Sequence, residues 1–205
     1  MVPPLPYDDA GVRYAVCDPA EVPALTEMLA LTFATSDPPA VAVGLTPAEF
    51  EAFVALVIAP KATQRLTVVA RDLASGTLAG ALLSEDAATP PPDGLAGLSE
   101  KFDPIFDLFG QLEDQPGQAE VVEAGTDLHL FVLGVDARFG GRGIAQRLVE
   151  AALARGSTMG YKTALTEATN RTSQHIFGKA GFTTRAQASY ADYRRDGVAV
   201  FASIS

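Results

Sequence analysis

The chain has 205 residues, 48% of them hydrophobic and 20% charged, a balance that predicts a globular domain with a substantial core rather than a disordered or fibrous chain. Fifteen Lys and Arg against 25 Asp and Glu give a formal charge of −10, which argues against nucleic acid as a partner and favours cationic small molecules. The start MVPPLPYDDAG has neither a basic region nor an apolar core, no apolar run reaches the length of a membrane span, and a single cysteine, Cys17, excludes an internal disulfide, so the expected location is a reducing cytoplasm.

Taken in order, 11–17 reads as a first strand. A helix follows over 19–35, with Asp18 as N-cap and Pro19 at its first position. Residues 36–45, with Asp37-Pro38-Pro39, read as a loop. The next helix starts at Thr46, where Pro47 and Glu49 complete a capping-box pattern, and runs to about Ile58. Two β-rich runs, 65–73 and 77–84, flank Ala74-Ser75-Gly76 and predict an antiparallel hairpin. Residues 86–125 read as an insertion: a loop with Pro90-Pro91-Pro92, then a helical pattern over 99–113 carrying Phe102, Phe106 and Phe109. These phenylalanines suit a core, or the wall of an apolar acceptor pocket. A strand over 162–167 and a helix over 170–180, ended by Gly181, precede a closing hairpin (182–190 and 197–204) around Asp196-Gly197. One domain over 1–205 is expected.

The stretch Leu128–Leu153 organises the chain. An apolar strand to Val135 enters a turn with Gly140, Gly141 and Gly143, then a helix with Ile144, Leu148, Val149, Ala152 and Leu153 on one face. Glycines allow close approach to a ligand, and the unpaired N–H groups of a helix start attract phosphate. The turn lacks the Gly-Lys-Ser/Thr of a nucleotide γ-phosphate site and the spacing of a dinucleotide fingerprint.

These residues resemble motif A of the GCN5-related N-acetyltransferases (GNAT). Two registers satisfy it: Arg138 to Gly143 fits the spacing, and Gly143-Ile144-Ala145 with Leu148 fits the helix start. The apolar spacing of the helix favours the second, which puts Gly140 where Arg or Gln is usual. Asn170, Ser173, Phe177 and Gly181-Phe182 are similar to the family's motif B. The resemblance covers 126–190 and is nearest the arylalkylamine and dopamine acetyltransferase branch. It implies an α/β (α+β) fold with a mixed central sheet of about seven strands, splayed between the fourth and fifth and flanked by helices.

The resemblance further implies an acetyl-CoA-dependent N-acetyltransferase acting on a small-molecule primary amine by direct transfer. Leu133, Gly134 and Val135 would pair with the pantetheine arm. Gly140, Gly141, Arg142, Gly143, Ile144 and Ala145 would take the pyrophosphate, helped by the Arg138 or Arg142 side chain, and Asn170, Ser173 and Phe177 would complete the cofactor side. Transfer to an amine needs a base, since an alkylammonium has a pKa near lysine's, about 10.4. The candidates are Asp37, in the place of a catalytic glutamate of the insect branch, and His129, in the place of a histidine of the vertebrate branch; Glu85 and Asp86 are further carboxylates. Ser173 or Thr169 would protonate the leaving thiolate, because Phe177 replaces the usual tyrosine. No role is assigned to His175 or Cys17. No metal, nucleic acid or membrane is expected, and a homodimer is an available assembly. The rival readings are a catalytically weak acyl-CoA-binding sensor and a peptide or protein acetyltransferase; the latter needs an open groove, which an insertion folded over the site would remove.

Overall fold

The computed structural model describes residues 2–115 and 122–204, so part of the predicted insertion, 116–121, lies outside the described residues. Six strands form one sheet in sequence order: β1 (Tyr7–Asp9), β2 (Val12–Val16), β3 (Val68–Asp72), β4 (Leu78–Asp86), β5 (Asp127–Val135) and β6 (Thr163–Leu165). All neighbours are antiparallel except β5 and β6, which run parallel. The helices are α1 (Val22–Ser36), α2 (Pro38–Ala42), α3 (Pro47–Gln64), α4 (Asp103–Glu113), α5 (Ile144–Thr158) and α6 (Arg171–Lys179).

Local chemistry sets the helix starts. Asp18 with Glu21, Thr46 with Glu49, and Asn170 with Ser173 each form a reciprocal capping box that satisfies orphan N–H groups. Each face of the sheet carries its own core. On one side the buried residues of α1 and α3 (Leu25, Leu29, Phe50, Phe53, Val54, Val57) meet Ala81, Leu83 and Val132 of the sheet. On the other, Ile144, Leu148, Val149 and Ala152 of α5 meet Val68, Ala70, Leu82 and Leu130. Their 3- and 4-residue spacing is the apolar stripe of a helix laid on a sheet, and each fully buried leucine contributes about 1.5–3 kcal/mol.

Three differences from the sequence-based expectation stand out. The sheet has six strands among the described residues, not about seven. Strand β1 lies ahead of the first predicted strand, and the predicted closing hairpin is absent but for one bridge, Arg195 to Val198, at the Asp196-Gly197 turn. Tyr190 and Tyr193 pack on Phe201 instead (centroids 5.6 and 5.0 Å apart), which carries this segment onto the α1–α3 core. Tertiary burial of aromatics overrides strand propensity there. The predicted 36–45 loop contains α2, because the Asp37 side chain accepts from Ala40 N–H and Pro38 starts a helical turn.

Candidate active site

β5 departs from regular pairing at two places, and both shape the site. Leu83 pairs with Val132 and Ser84 with Leu130, which leaves Phe131 as the extra residue of a β-bulge. Phe131 and Val132 consequently both contact the α1–α3 core, while Leu130 and Leu133 join the α5 side. Pairing with β6 stops at His129–Leu165, although β5 continues to Val135. The two parallel strands splay apart beyond that point. Asp136 N–H donates to Ala79 O at 3.0 Å, so alternation of the ladder directs the polar atoms of Gly134 toward β4 and those of Leu133 and Val135 to the open edge.

Helix α5 starts beside that edge. Gly141 (φ +75°) and Gly143 (φ +73°) are left-handed, and Gly143 is the N-cap with no side-chain cap of its own. Its first-turn N–H groups have no intrahelical partner and face the positive end of the helix dipole. The Arg142 guanidinium is engaged elsewhere: it donates to Asp72 (2.9 Å) and to Ala10 O (3.3 Å) and so ties the glycine turn to the sheet. Arg138 is bound by Asp136 through Nε and Nη2, and both arginines flank the Phe139 ring.

A cavity of ≈ 240 Å³ opens at the splay. Its far wall is aromatic: Phe33, Phe50, Phe53, Phe102, Phe106 and Phe131 form a continuous set of stacked, tilted and edge-on pairs. Phe102 and Phe106 come from the insertion, so these side chains are both core and wall. Leu133 to Val135 bound one side, and Thr166, Glu167, Thr169, Asn170, Ser173 and Phe177 the other.

Two charged networks meet the cavity. Asp37, on its wall, closes α1 and caps α2; its Oδ1 accepts from the Thr169 hydroxyl at 2.6 Å and its Oδ2 from Ala40 N–H at 3.3 Å. Burial raises its pKa above the ordinary carboxylate value, against the lowering effect of those two hydrogen bonds. Tyr190 completes the row, donating to Thr169 O at 2.7 Å. In the second network, His129 Nδ1 lies 3.2 Å from Glu85 Oε1 and Nε2 lies 2.8 Å from Glu167 Oε2. Ionised carboxylates only accept, so a ring that serves both must carry both protons. Burial acts against that charge, but the bonds and fields of Glu167 and Glu85 prevail and the His129 pKa is pushed up to about 9.

Residues 94–182 match the model of the Acetyltransferase (GNAT) family. That stretch, from the insertion through α6, is similar to a GNAT acetyltransferase. Solved structures share the chain's fold. The arylalkylamine N-acetyltransferase 2 of Aedes aegypti matches at 23% identity over 90% of this chain and 88% of its own, with a TM-score of 0.74. The Drosophila melanogaster polyamine N-acetyltransferase matches at 20% identity over 92% and 91%, with a TM-score of 0.70. The C-terminal condensation domain of Ebony, solved with beta-alanyl-dopamine, matches at 14% identity over 95% and 93%, with a TM-score of 0.78.

The glycine turn leads into a helix that begins at Ile144, the register the apolar spacing favours, and Ile144 itself is buried. Asp37, Ser173, Asn170, Phe177 and Leu133 to Val135 share one cavity; His129 does not line it. The Ser173 hydroxyl donates to Asn170 O at 2.9 Å and accepts from Asn170 N–H. Phe177 is buried against Phe182. Asp86 turns away to serve Gly125 N–H, Ala88 N–H and the Tyr161 hydroxyl. Glu167 reads in the sequence only as a strand end, with no signal that a parallel splay would turn it into the cavity. Cys17 is half-buried and its thiol pKa is pushed up to about 11 by burial, a poor nucleophile.

Proposed function

We propose that the chain is an acetyl-CoA-dependent N-acetyltransferase that passes the acetyl group directly to the primary amine of a small molecule in a ternary complex. The observation that carries this reading is the cavity at the splay, with the unpaired β5 edge, which runs on toward the start of α5, on one side and the buried carboxylate of Asp37 on the other. These residues fit acetyl-CoA: the open backbone of Leu133 and Val135 suits the amides of a pantetheine arm, and the glycine cradle suits a pyrophosphate. Acetyl-CoA supplies an acyl group activated as a thioester.

The protein's part is holding, polarising and moving protons. Main-chain N–H groups at the open edge near Val135 would polarise the thioester carbonyl. Asp37, made more basic by burial and held by Thr169, takes the proton of the amine. Ser173 or Thr169 stands near the leaving thiolate, which needs only modest help because a thiol pKa lies near about 8.5. The high thiol pKa of Cys17 supports direct transfer over an acetyl-enzyme. Phe102, just ahead of α4, and Ile105, Phe106 and Phe109 of α4 roof the cavity, which supports a small acceptor over a peptide. Phe177, buried where an acid is usual, is the one feature favouring an acyl-CoA sensor. Among the described residues no helix is long and apolar enough to cross a membrane. The reading adds a cytoplasmic location.

Thiol release from acetyl-CoA against tyramine, tryptamine, spermidine and a lysine peptide, with melting temperature followed in parallel, tests the reading. The expected result is stabilisation by acetyl-CoA and release with one class of small amine. Stabilisation without any amine-dependent release would point to the sensor, and no stabilisation would remove the cofactor site itself.

A further inference from the structure

His129 lies behind the cavity wall rather than on it, and its side chain is 16% exposed. Its β4 neighbour in the sheet register is Glu85, so the Nδ1 contact is a cross-strand pair. Nε2 reaches to Glu167, which stands two residues beyond β6 and does line the cavity. The ring edge packs on Phe131 (5.2 Å), the bulge residue, so the imidazole is fixed on three sides. One cation thus bridges two carboxylates carried by different strands across β5. We propose that Glu167 is the carboxylate that binds the acceptor's ammonium group, and that His129 is a positioning residue that clamps it at the cavity wall by bridging it to Glu85. This rests on the reading of the chain as an amine acetyltransferase.

Geometry and charge agree on the division of labour between the two wall carboxylates. Burial makes Asp37 more basic, which suits a group that must accept a proton. Burial would do the same to Glu167, but the His129 hydrogen bond and charge outweigh it and leave the carboxyl below its ordinary range. Glu167 therefore stays ionised and can hold an ammonium without taking its proton. Two carboxylates pushed in opposite directions in one cavity mark separate roles. The trio carries a net charge of −1, a fixed anionic spot beside an aromatic wall. Glu167 spends one bond on the clamp and one on its own backbone N–H, and a carboxylate offers about four acceptor positions, so capacity remains for a ligand. The charged groups bonded to His129 are Glu85 on β4 and Glu167 after β6.

The test has two arms. The chain has two histidines, so NMR of histidine-labelled protein resolves His129 from His175. His129 should be doubly protonated at pH 7.5, and Glu167→Gln should lower its titration midpoint; this arm needs no turnover and is independent of the transferase reading. In steady-state kinetics Glu167→Gln and His129→Asn should each raise the KM of a cationic acceptor at least about tenfold, with the KM of acetyl-CoA unchanged as the control for folding. Glu167→Asp, which keeps the charge, should recover part of the loss. A neutral His129 at pH 7.5 overturns the proposal, as does a fall in kcat at constant acceptor KM for His129→Asn, the signature of a base. Wild-type protein that fails to release thiol with any amine would sink the transferase reading and, with it, the ammonium role of Glu167, while the NMR arm would still decide whether the clamp exists.

Discussion

Asp37 ends α1, caps α2, accepts from Thr169 and faces the cavity, so one carboxylate joins local structure to chemistry. Its proposed role sets an expectation that a purely structural residue would not. Asp37→Asn keeps an equally good N-cap but cannot take a proton, so kcat should fall about 10²-fold or more with acetyl-CoA binding kept. Because burial raises the folded pKa, the folded state holds the Asp37 proton more tightly than the unfolded chain does, and ionising the group costs stability as pH rises through the folded value. The variant should therefore melt at neutral pH no lower than the wild type. Activity should fall as pH drops through that raised pKa, on a limb lying above the about 3.9 of a free aspartate, and kcat against pH would show the limb vanish in the variant. The sequence placed Asp37 at a candidate position through a resemblance; it held no sign of the Thr169 contact, which spans 132 positions of the chain. His129 shows the complementary case: its position was legible, but its two carboxylate partners come from β4 and from beyond β6, and only the folded sheet brings them to one ring.

Elements were legible where their chemistry is local. The N-cap at Asp18, the capping box at Thr46 and the Ala74-Ser75-Gly76 turn lie within a few residues of the structure they start or join. The strand–turn–helix of β5 and α5 was equally readable, since its glycines and apolar spacing are contiguous. A left-handed residue other than glycine costs about 1–2 kcal/mol, and Gly143 is left-handed with open space where a Cβ would stand, so backbone strain is the whole cost of adding one. Gly143→Ala should accordingly lower the melting temperature by a few degrees while weakening acetyl-CoA binding about tenfold or more, because the strain falls on the cradle itself. Calorimetry of acetyl-CoA binding checks it; unchanged affinity would place the pyrophosphate elsewhere. The bulge at Phe131 and the splay after His129 were not readable, as both depend on the register of partner strands. The predicted closing hairpin had a good turn at Asp196-Gly197 but no neighbouring strand long enough to extend, β6 being only three residues.

At the scale of the molecule, a sheet covered on both faces leaves its cavity at one defect, the gap between β5 and β6, and the insertion closes that gap from above. The C-terminal segment completes the same core from outside the sheet. Phe201 is fully buried against Tyr190 and Tyr193, and Arg195 links the segment to Asp103 and Asp107 of α4. These contributions are unequal. The Arg195 pairs are exposed and worth about 0–1 kcal/mol, whereas truncating Phe201 should cost about 3–5 kcal/mol. Urea unfolding of Arg195→Ala and Phe201→Ala should show that order; equal losses would mean that the tail is held by charge and not by burial. Whether the acetyl group moves straight to an amine in this cavity is decided by incubation with acetyl-CoA labelled at the acetyl carbon, followed by mass analysis of both amine and intact protein. Direct transfer puts the label on the amine, with no labelled protein at any time in single turnover. Label on the protein that later passes to the amine, or none on any amine while acetyl-CoA is bound, would contradict it.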